Sequence, residues 1–240
     1  MNWKFIFTFA WFYGYSFLRR GYSYVFSYLI TPLSILFLVY VLSRGSLLQY
    51  AIVGGLIAVV STNSVVSLAD VVMLRKEMRI QDMLIATKVG PAEYMLGLST
   101  ANLIFSSVGM LAYVALGLLL GVFTPLSALL DFLIAVYLNY SLTGLAFIIG
   151  TLIPYTRHSW AVSGVMGTVL TIIPPVYYPF SVLKGIVEYL SLAIPSSPAS
   201  VLSQSVAGLT QANPLATLLF FIEGPFFIAL AVKLARWREK

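Results

Sequence analysis

The residues best suited to bind another molecule are the charged side chains between Leu74 and Pro91, in the sequence LRKEMRIQDMLIATKVGP. The stretch concentrates charge in a chain of which only 9% of the residues are charged. A helix over residues 74–89 would be amphipathic, because apolar residues recur near the 3.6-residue spacing and charged residues occupy much of the remaining surface. Such a helix would lie at a membrane face and could bind a soluble partner. The alternative is an ordinary solvated helix in a loop.

Acidic residues inside apolar segments form a second group that could do chemistry. Glu223 precedes Gly224 and Pro225, which are predicted to interrupt the final apolar run, and its carboxylate could face a transport path. Alternatively, Glu223 lies near the outer interface, paired with Lys184 or hydrogen-bonded to a neighbouring helix. Asp131 is predicted at the interfacial start of its span, where the helix dipole favours an anion.

Other kinds of site are disfavoured by what the sequence lacks. The chain has no cysteine and one histidine, His158, so a zinc site would need carboxylates from distant parts of the chain. Asp131 and His158 are predicted on opposite sides of the membrane, which argues against a catalytic triad. No G-x-x-x-x-G-K-[ST] motif occurs, so the chain has no obvious loop for ATP phosphates. We therefore expect no catalytic residue, no metal and no cofactor on this chain.

Long apolar runs must position these residues. Hydrophobic residues make up 60% of the chain and its mean hydropathy is +0.95, which is too apolar for a soluble domain. A helical crossing needs about 20 apolar residues. The runs are continuous, unlike the short alternating strands of a membrane β-barrel. We predict an all-α polytopic membrane protein, a single transmembrane domain over residues 1–240, with six transmembrane helices over residues 22–42, 47–69, 94–120, 129–153, 159–175 and 214–232.

Two further segments are predicted to lie at the membrane faces. Residues 1–20 are rich in aromatic side chains and carry polar groups on one helical face, which predicts an interfacial helix. A short seventh span is the alternative. Residues 176–213 are apolar, too long for a simple turn and broken by prolines, which suits a re-entrant helical hairpin on the outer side.

Small and polar residues within the spans give more local predictions. The Gly54-Gly55 pair and the polar run from Ser61 to Ser67 favour close packing with interhelical hydrogen bonds. The polar run could also line a polar path. Pro174-Pro175 should end the fifth span, and Gly90-Pro91 should close the charged helix.

The basic residues sort by membrane side. If the N-terminus is cytoplasmic, every lysine and arginine except Arg44 and Lys184 falls on the cytoplasmic side of six spans. We therefore expect a multi-pass protein of the cell (plasma) membrane with both termini in the cytoplasm. The net charge of +6 then reflects membrane topology, and we expect no nucleic acid as a partner.

The order of these elements resembles the membrane subunit, or permease, of a type-2 ABC transporter, and the resemblance covers nearly the whole chain. Glu77 to Leu84, followed by Thr87 and Gly97, resembles the coupling segment of that family. Val176 to Pro179, with the later Pro195, resembles the aromatic-proline turn of its outer hairpin. The resemblance implies an N-terminal interfacial helix, a coupling helix between spans 2 and 3, and a re-entrant hairpin between spans 5 and 6.

The function implied by the resemblance is that of a permease subunit in an ATP-driven exporter of an amphipathic, lipid-like, drug-like or glycan substrate. Two copies of a separate ATP-binding cassette subunit would hold ATP and Mg and dock on the coupling helix. A second permease copy or a paralogue would complete the dimer, and spans one and five with the hairpin would line the path. The implied docking residues are Arg75, Lys76, Glu77, Arg79 and Asp82, and the candidate substrate-path residues are Tyr177, Tyr178, Phe180 and Glu223.

Two other functions stay open. An ion-coupled secondary transporter often shows internal repeats with discontinuous helices in both halves, and no convincing repeat is evident in the sequence. A membrane-embedded enzyme using Glu223 and Asp131 should place several polar groups at one depth, which the sequence does not indicate.

Overall fold

The structure, a computed structural model, describes residues 1–234, and these residues form helices and loops without any strand. The predicted basic tail at Arg236, Arg238 and Lys240 lies outside the described residues. The α-helices are α1 (Trp3–Phe9), α2 (Ser16–Arg20), α3 (Tyr22–Leu42), α4 (Leu48–Lys76), α5 (Ile80–Ile85), α6 (Pro91–Leu119), α7 (Pro125–Leu152), α8 (Thr156–Ile172), α9 (Ile186–Leu192), α10 (Ser196–Val206) and α11 (Pro214–Leu234). A π-helical segment (Ala10–Tyr15) joins α1 to α2, and a 3₁₀ turn (Phe180–Val182) precedes α9.

Four of these helices are long and apolar enough to cross a membrane, namely α4, α6, α7 and α11. The predicted all-α, membrane-compatible class is therefore confirmed. The predicted first span coincides with α3, which has 21 residues, and the predicted fifth span, 159–175, overlaps α8, which has 17 residues and starts and ends three residues earlier. The total number of crossings stays a prediction.

Helix α4 is the centre of the bundle. It packs against α3, α6, α7, α8 and α10, and its residues from Ala51 to Val60 are buried. Gly54 and Gly55 make this packing close, since an added Cβ would lie 1.6 Å from the Val176 carbonyl oxygen at Gly54 and 1.9 Å from the Tyr113 ring at Gly55. The close packing predicted for this glycine pair is confirmed.

The polar run of α4 forms hydrogen bonds to two other long helices. Asn63 donates its side-chain amide to the Ser106 hydroxyl on α6 at 3.1 Å, and the Ser64 hydroxyl donates to the Asn139 side-chain oxygen on α7 at 3.0 Å. Polar side chains between apolar helices stabilise the bundle in this way. One residue of the run, Thr62, instead lines a groove described below.

The N-terminal helices pack along α6. Ile6 and Ala10 are buried, and an added Cβ at Gly14 would meet the Ala101 Cα at 3.0 Å. Large apolar side chains, including Trp3 and Trp11, stay exposed on the other face. The predicted helical character of residues 1–20 is therefore present as three consecutive segments with one buried and one exposed apolar face.

The predicted single helix over residues 74–89 is instead two helices separated by a turn. Helix α4 continues past the predicted end of the second span, residue 69, as far as Lys76. Arg79 then adopts a left-handed backbone conformation with φ of 50°, which breaks the repeating hydrogen bonds of a right-handed helix. Only the six residues of α5 are helical after this break.

The prediction that Gly90-Pro91 closes the charged helix is wrong, because the pair begins α6. Gly90 is extended, with φ of −95° and ψ of 167°, and its N–H donates to the Glu93 carboxylate at 2.9 Å. Pro91 occupies the first helical position, where a missing N–H costs no helix hydrogen bond.

Candidate functional site: a docking turn and a hydroxyl-lined groove

The turn between α4 and α6, which we call the docking turn (residues 76–88), presents charged side chains around apolar ones. Lys76, Glu77, Arg79 and Asp82 are exposed. Glu77, Arg79 and Asp82 make no ion pair with any other residue from 1 to 234. Met78 and Met83 are also exposed on this turn, with 52% and 64% of their surface accessible. Exposed apolar side chains inside a charged rim are typical of a protein-binding surface.

The structure separates Arg75 from the other predicted docking residues. Its side chain is 8% exposed, and its guanidinium donates to the carbonyl oxygens of Thr151 at 3.0 Å and Ile153 at 3.2 Å. These carbonyls lie at the C-terminal end of α7, where unpaired backbone acceptors and the helix dipole favour a cation. Arg75 therefore fixes the docking turn to the junction between α7 and α8.

A groove between α3, α4 and α8 has a volume of about 300 Å³ and no charged residue in its lining. Hydroxyl groups of Thr31, Thr62, Ser163, Thr168 and Thr171 line it, together with Gly164 and Gly167. The hydroxyls on α8 donate to backbone carbonyls one turn earlier, as Thr171 does to Gly167 at 2.7 Å. A Cβ added at either glycine would meet nothing within 4 Å, so this face of α8 is open.

Sequence reasoning did not single out this groove. Its hydroxyls come from three helices, and serine and threonine are scattered along all the apolar runs. One signal was present in the sequence of α8, because Gly164, Gly167, Thr168 and Thr171 fall at spacings of three and four residues. Such spacing places small and hydroxyl-bearing residues on one helical face.

The predicted path residues of the outer hairpin are buried or half-buried, and two of them form hydrogen bonds within the protein. Tyr177 is buried, and this burial raises the pKa of its phenol, as does the nearby Tyr113, so the hydroxyl stays neutral. Tyr178 is half-buried and donates its hydroxyl to the Ile173 carbonyl at 2.7 Å. Phe180 is half-buried at the start of the 3₁₀ turn, where its N–H donates to the Gln204 side chain at 3.4 Å. No described contact joins Glu223 to these three residues.

A cluster of hydrogen bonds explains why the chain can break at Pro174-Pro175 inside the bundle; we call it the proline junction (residues 170–178 with α10). Pro174 has no N–H, which removes the usual helix partner of the Leu170 carbonyl. The Ser196 hydroxyl donates to that carbonyl at 2.5 Å. Ser200 and Gln204 donate to the Pro175 carbonyl, both at 2.7 Å. The polar face of α10 thus supplies donors to backbone carbonyls that have no helix partner where α8 ends.

Asp131 lies near the start of α7, as predicted, but protein covers its side chain, and its depth in a membrane stays a prediction. Asp131 is fully buried in the second turn of α7 and accepts a hydrogen bond from the Ser203 hydroxyl of α10 at 2.7 Å. Helix α10 covers this part of α7 because the outer hairpin packs into the bundle. The sequence placed Asp131 correctly near the start of α7 but gave no sign of the covering helix.

The predicted interruption of the final span at Gly224-Pro225 is also wrong, because α11 is continuous from Pro214 to Leu234. Pro225 cannot donate to the Phe221 carbonyl four residues earlier. The Tyr137 hydroxyl of α7 donates to this carbonyl instead, at 2.8 Å. Gly224 leaves room for the Tyr137 ring, since an added Cβ would lie 2.4 Å from the phenol oxygen.

Glu223 is half-buried near this contact. It directly precedes Gly224, whose backbone lies against the Tyr137 phenol. It forms no ion pair with Lys184, although both residues belong to the described part of the chain, so the predicted pairing is wrong. Within residues 1–234, no group of three or more histidine, cysteine or acidic side chains is arranged to hold a metal ion.

No protein-family model matches this chain, and no curated protein matches it at a significant level.

Proposed function

We propose that the chain is the permease subunit of an ATP-driven exporter of the type-2 ABC class, powered by a separate ATP-binding subunit. The observation that carries this proposal is the position of the docking turn. It joins the end of α4, the central helix, to the start of α6, and its charged side chains are exposed. A partner that moves this turn would move α4 and the helices packed around it.

The side chains of the docking turn fit a soluble protein partner. Met78 and Met83 would supply apolar contact area, and Glu77, Arg79 and Asp82 would select a surface of complementary charge. Arg75 would not contact the partner. It would connect the docking turn to the rest of the bundle, because its two hydrogen bonds reach the junction between α7 and α8. The chain itself carries no phosphate-binding loop of the G-x-x-x-x-G-K-[ST] type, which is consistent with a separate subunit that binds ATP.

The groove supports a path formed by two permease copies. Glycines and hydroxyl-bearing residues on an open helix face are typical of surfaces that pack closely against another transmembrane helix. A second copy, or a paralogue, placed against α3 and α8 would enclose two such grooves. An amphipathic, lipid-like, drug-like or glycan cargo would meet an uncharged polar lining there. Six crossings with both termini in the cytoplasm would place the docking turn on the cytoplasmic side.

The proposal is tested by isolating the tagged chain from its native membranes in a mild detergent and measuring ATP hydrolysis of the preparation. We expect an ATP-hydrolysing subunit to remain bound to the wild-type chain. Reversing the two charges, with Glu77→Lys and Arg79→Glu together, should remove that subunit and the activity while leaving the amount of inserted chain unchanged. Lys184→Glu is the matched control, because Lys184 is an exposed charge outside the docking turn. Equal ATP hydrolysis by both variants would contradict the proposal.

An ion-coupled secondary transporter is the second candidate function, and Glu223 favours it. A half-buried carboxyl without an ion pair in an apolar helix is a common feature of ion pathways. Transport by purified chain in vesicles, driven by a proton or sodium gradient without ATP, would support this alternative. An enzyme using Glu223 and Asp131 together is not favoured, because Asp131 is covered by α10 whereas Glu223 lies more than one turn of α7 away, near Tyr137.

A further inference from the structure

A cavity of about 530 Å³ lies at the end of the molecule opposite the docking turn. It is formed by the start of α4, the start of α11, the 3₁₀ turn and the loop between α10 and α11. Helix α4 separates the two ends by about 40 Å, given a rise of about 1.5 Å per residue. The polar and aromatic side chains in its lining are Tyr50, Phe180, Ser181, Thr210, Gln211 and Asn213.

The loop that forms one wall of the cavity is held in place before any ligand binds. The Leu209 N–H donates to the Gln204 carbonyl at 2.9 Å, and the Tyr50 hydroxyl donates to the Leu209 carbonyl at 3.1 Å. At the other end of the loop, the Asn213 side-chain oxygen accepts the Ala216 N–H at 3.1 Å. Because the wall is already ordered, the protein loses less conformational entropy when a ligand binds.

Several hydrogen-bonding groups of the cavity are left for a ligand. The Thr210 hydroxyl oxygen has no hydrogen-bond partner within residues 1–234, but it is also buried away from the open space of the cavity, so a ligand would not reach it. Asn213 uses its oxygen for the α11 cap, which leaves its amide NH₂ as a donor. Ser181 and Gln211 are exposed and add a hydroxyl and a second amide.

The charge of the lining excludes ionic ligands. No lysine, arginine, aspartate or glutamate lines the cavity, so neither a phosphate nor an amine would find an opposite charge. The N-terminus of α11 does not act as an anion site either. Pro214 has no N–H, and the Ala216 N–H is already bound by Asn213.

We propose that this cavity binds the ring of a neutral saccharide. The hydroxyl of Ser181 and the amides of Gln211 and Asn213 match the hydroxyls of a sugar, which both donate and accept. The half-buried ring of Phe180 offers an apolar face to the C–H groups of the sugar ring. The volume lies in the range of small-molecule sites. The site does not depend on the exporter function proposed above.

The saccharide could belong to a free oligosaccharide or to the headgroup of a glycolipid, and one experiment distinguishes them. The full chain is placed in phosphatidylcholine nanodiscs, and saturation-transfer NMR is recorded with a panel of maltotriose, cellotriose and lactose. A parallel set of nanodiscs contains a monogalactosyl lipid, whose cross-linking to the chain is measured. Signals from the free sugars assign the first source, and cross-linking alone assigns the second.

Variants locate the site within the cavity. Phe180→Ala should weaken binding about tenfold, and Ser181→Ala about threefold, which is typical of one lost hydrogen bond. Ser181→Thr retains the hydroxyl and should bind like the wild type. Tyr189→Ala is the matched control, because Tyr189 is an exposed aromatic residue of α9 outside the cavity. Size-exclusion profiles confirm that each variant is folded.

The proposal is overturned by any of three results. The first is the absence of both signal and cross-linking for the whole panel. The second is equal weakening by Phe180→Ala and Tyr189→Ala, which would place binding elsewhere. The third is displacement of the sugar by inorganic phosphate at low millimolar concentration, which would indicate an anion site.

Discussion

The docking turn and the proline junction are both rich in polar side chains, but they use them in opposite ways. Glu77, Arg79 and Asp82 are exposed at the docking turn and make no ion pair within the described chain. Ser200 and Gln204 are buried at the proline junction and donate to backbone carbonyls. Exposed polar groups retain their interaction with water and can exchange it for a partner, whereas buried ones must be satisfied inside the protein. Substitutions should therefore affect stability at the junction and binding at the turn.

The largest expected loss of stability comes from Gly54→Ala, beside the proline junction. The new Cβ would lie 1.6 Å from the Val176 carbonyl oxygen, so the backbone must move. We expect the free energy of unfolding to fall by about 3 kcal/mol, measured by denaturation in detergent micelles. Gly164→Ala is the control, since its Cβ meets nothing within 4 Å. Equal stability of the two variants would contradict close packing at Gly54.

Gln204→Leu should produce the next largest effect. It removes the donor to the Pro175 and Tyr178 carbonyls, at 2.7 and 3.0 Å, and Ser200 can satisfy only the first of them. Leaving a buried acceptor unsatisfied should lower the free energy of unfolding by about 2 kcal/mol. Gln211→Leu, at an exposed glutamine of the next loop, should change it little. The same denaturation measurement compares the two variants.

Tyr137→Phe should cost about 1 kcal/mol, the contribution of one hydrogen bond to the Phe221 carbonyl. Pro225→Ala restores the N–H that normally bonds this carbonyl. In the Pro225→Ala background, Tyr137→Phe should therefore cost clearly less, which a double-mutant cycle measures as a coupling energy. Additive losses would show that the tyrosine does not replace the missing N–H.

The charge reversal at Glu77 and Arg79 should have the smallest effect on stability, within about 0.5 kcal/mol. Both side chains are exposed and form no ion pair with a described residue. Arg75→Met, only two residues before Glu77, should cost more, because Arg75 is buried and bonded to two carbonyls. A comparison of the thermal midpoints of the two variants tests whether the exposed and buried parts of the charged segment differ as described.

The helical class and the position of the docking turn could be predicted from local sequence. Apolar runs of sufficient length predict the long helices, and a charged segment between two such runs must lie outside them. The close approach at Gly54-Gly55 was also predicted, because two adjacent small residues in an apolar helix have few other uses. These features depend on residues that are near one another in the chain.

The sequence by itself therefore determined an all-α, membrane-compatible chain with one exposed charged turn. Only the tertiary structure decided which groups form hydrogen bonds with Arg75, Asp131 and the Phe221 carbonyl. Each forms a hydrogen bond with a group far along the chain, 76 residues away for Arg75, 72 for Asp131 and 84 for the carbonyl. Charge and hydropathy patterns report the preferences of neighbouring residues, whereas burial depends on which distant helix covers a side chain.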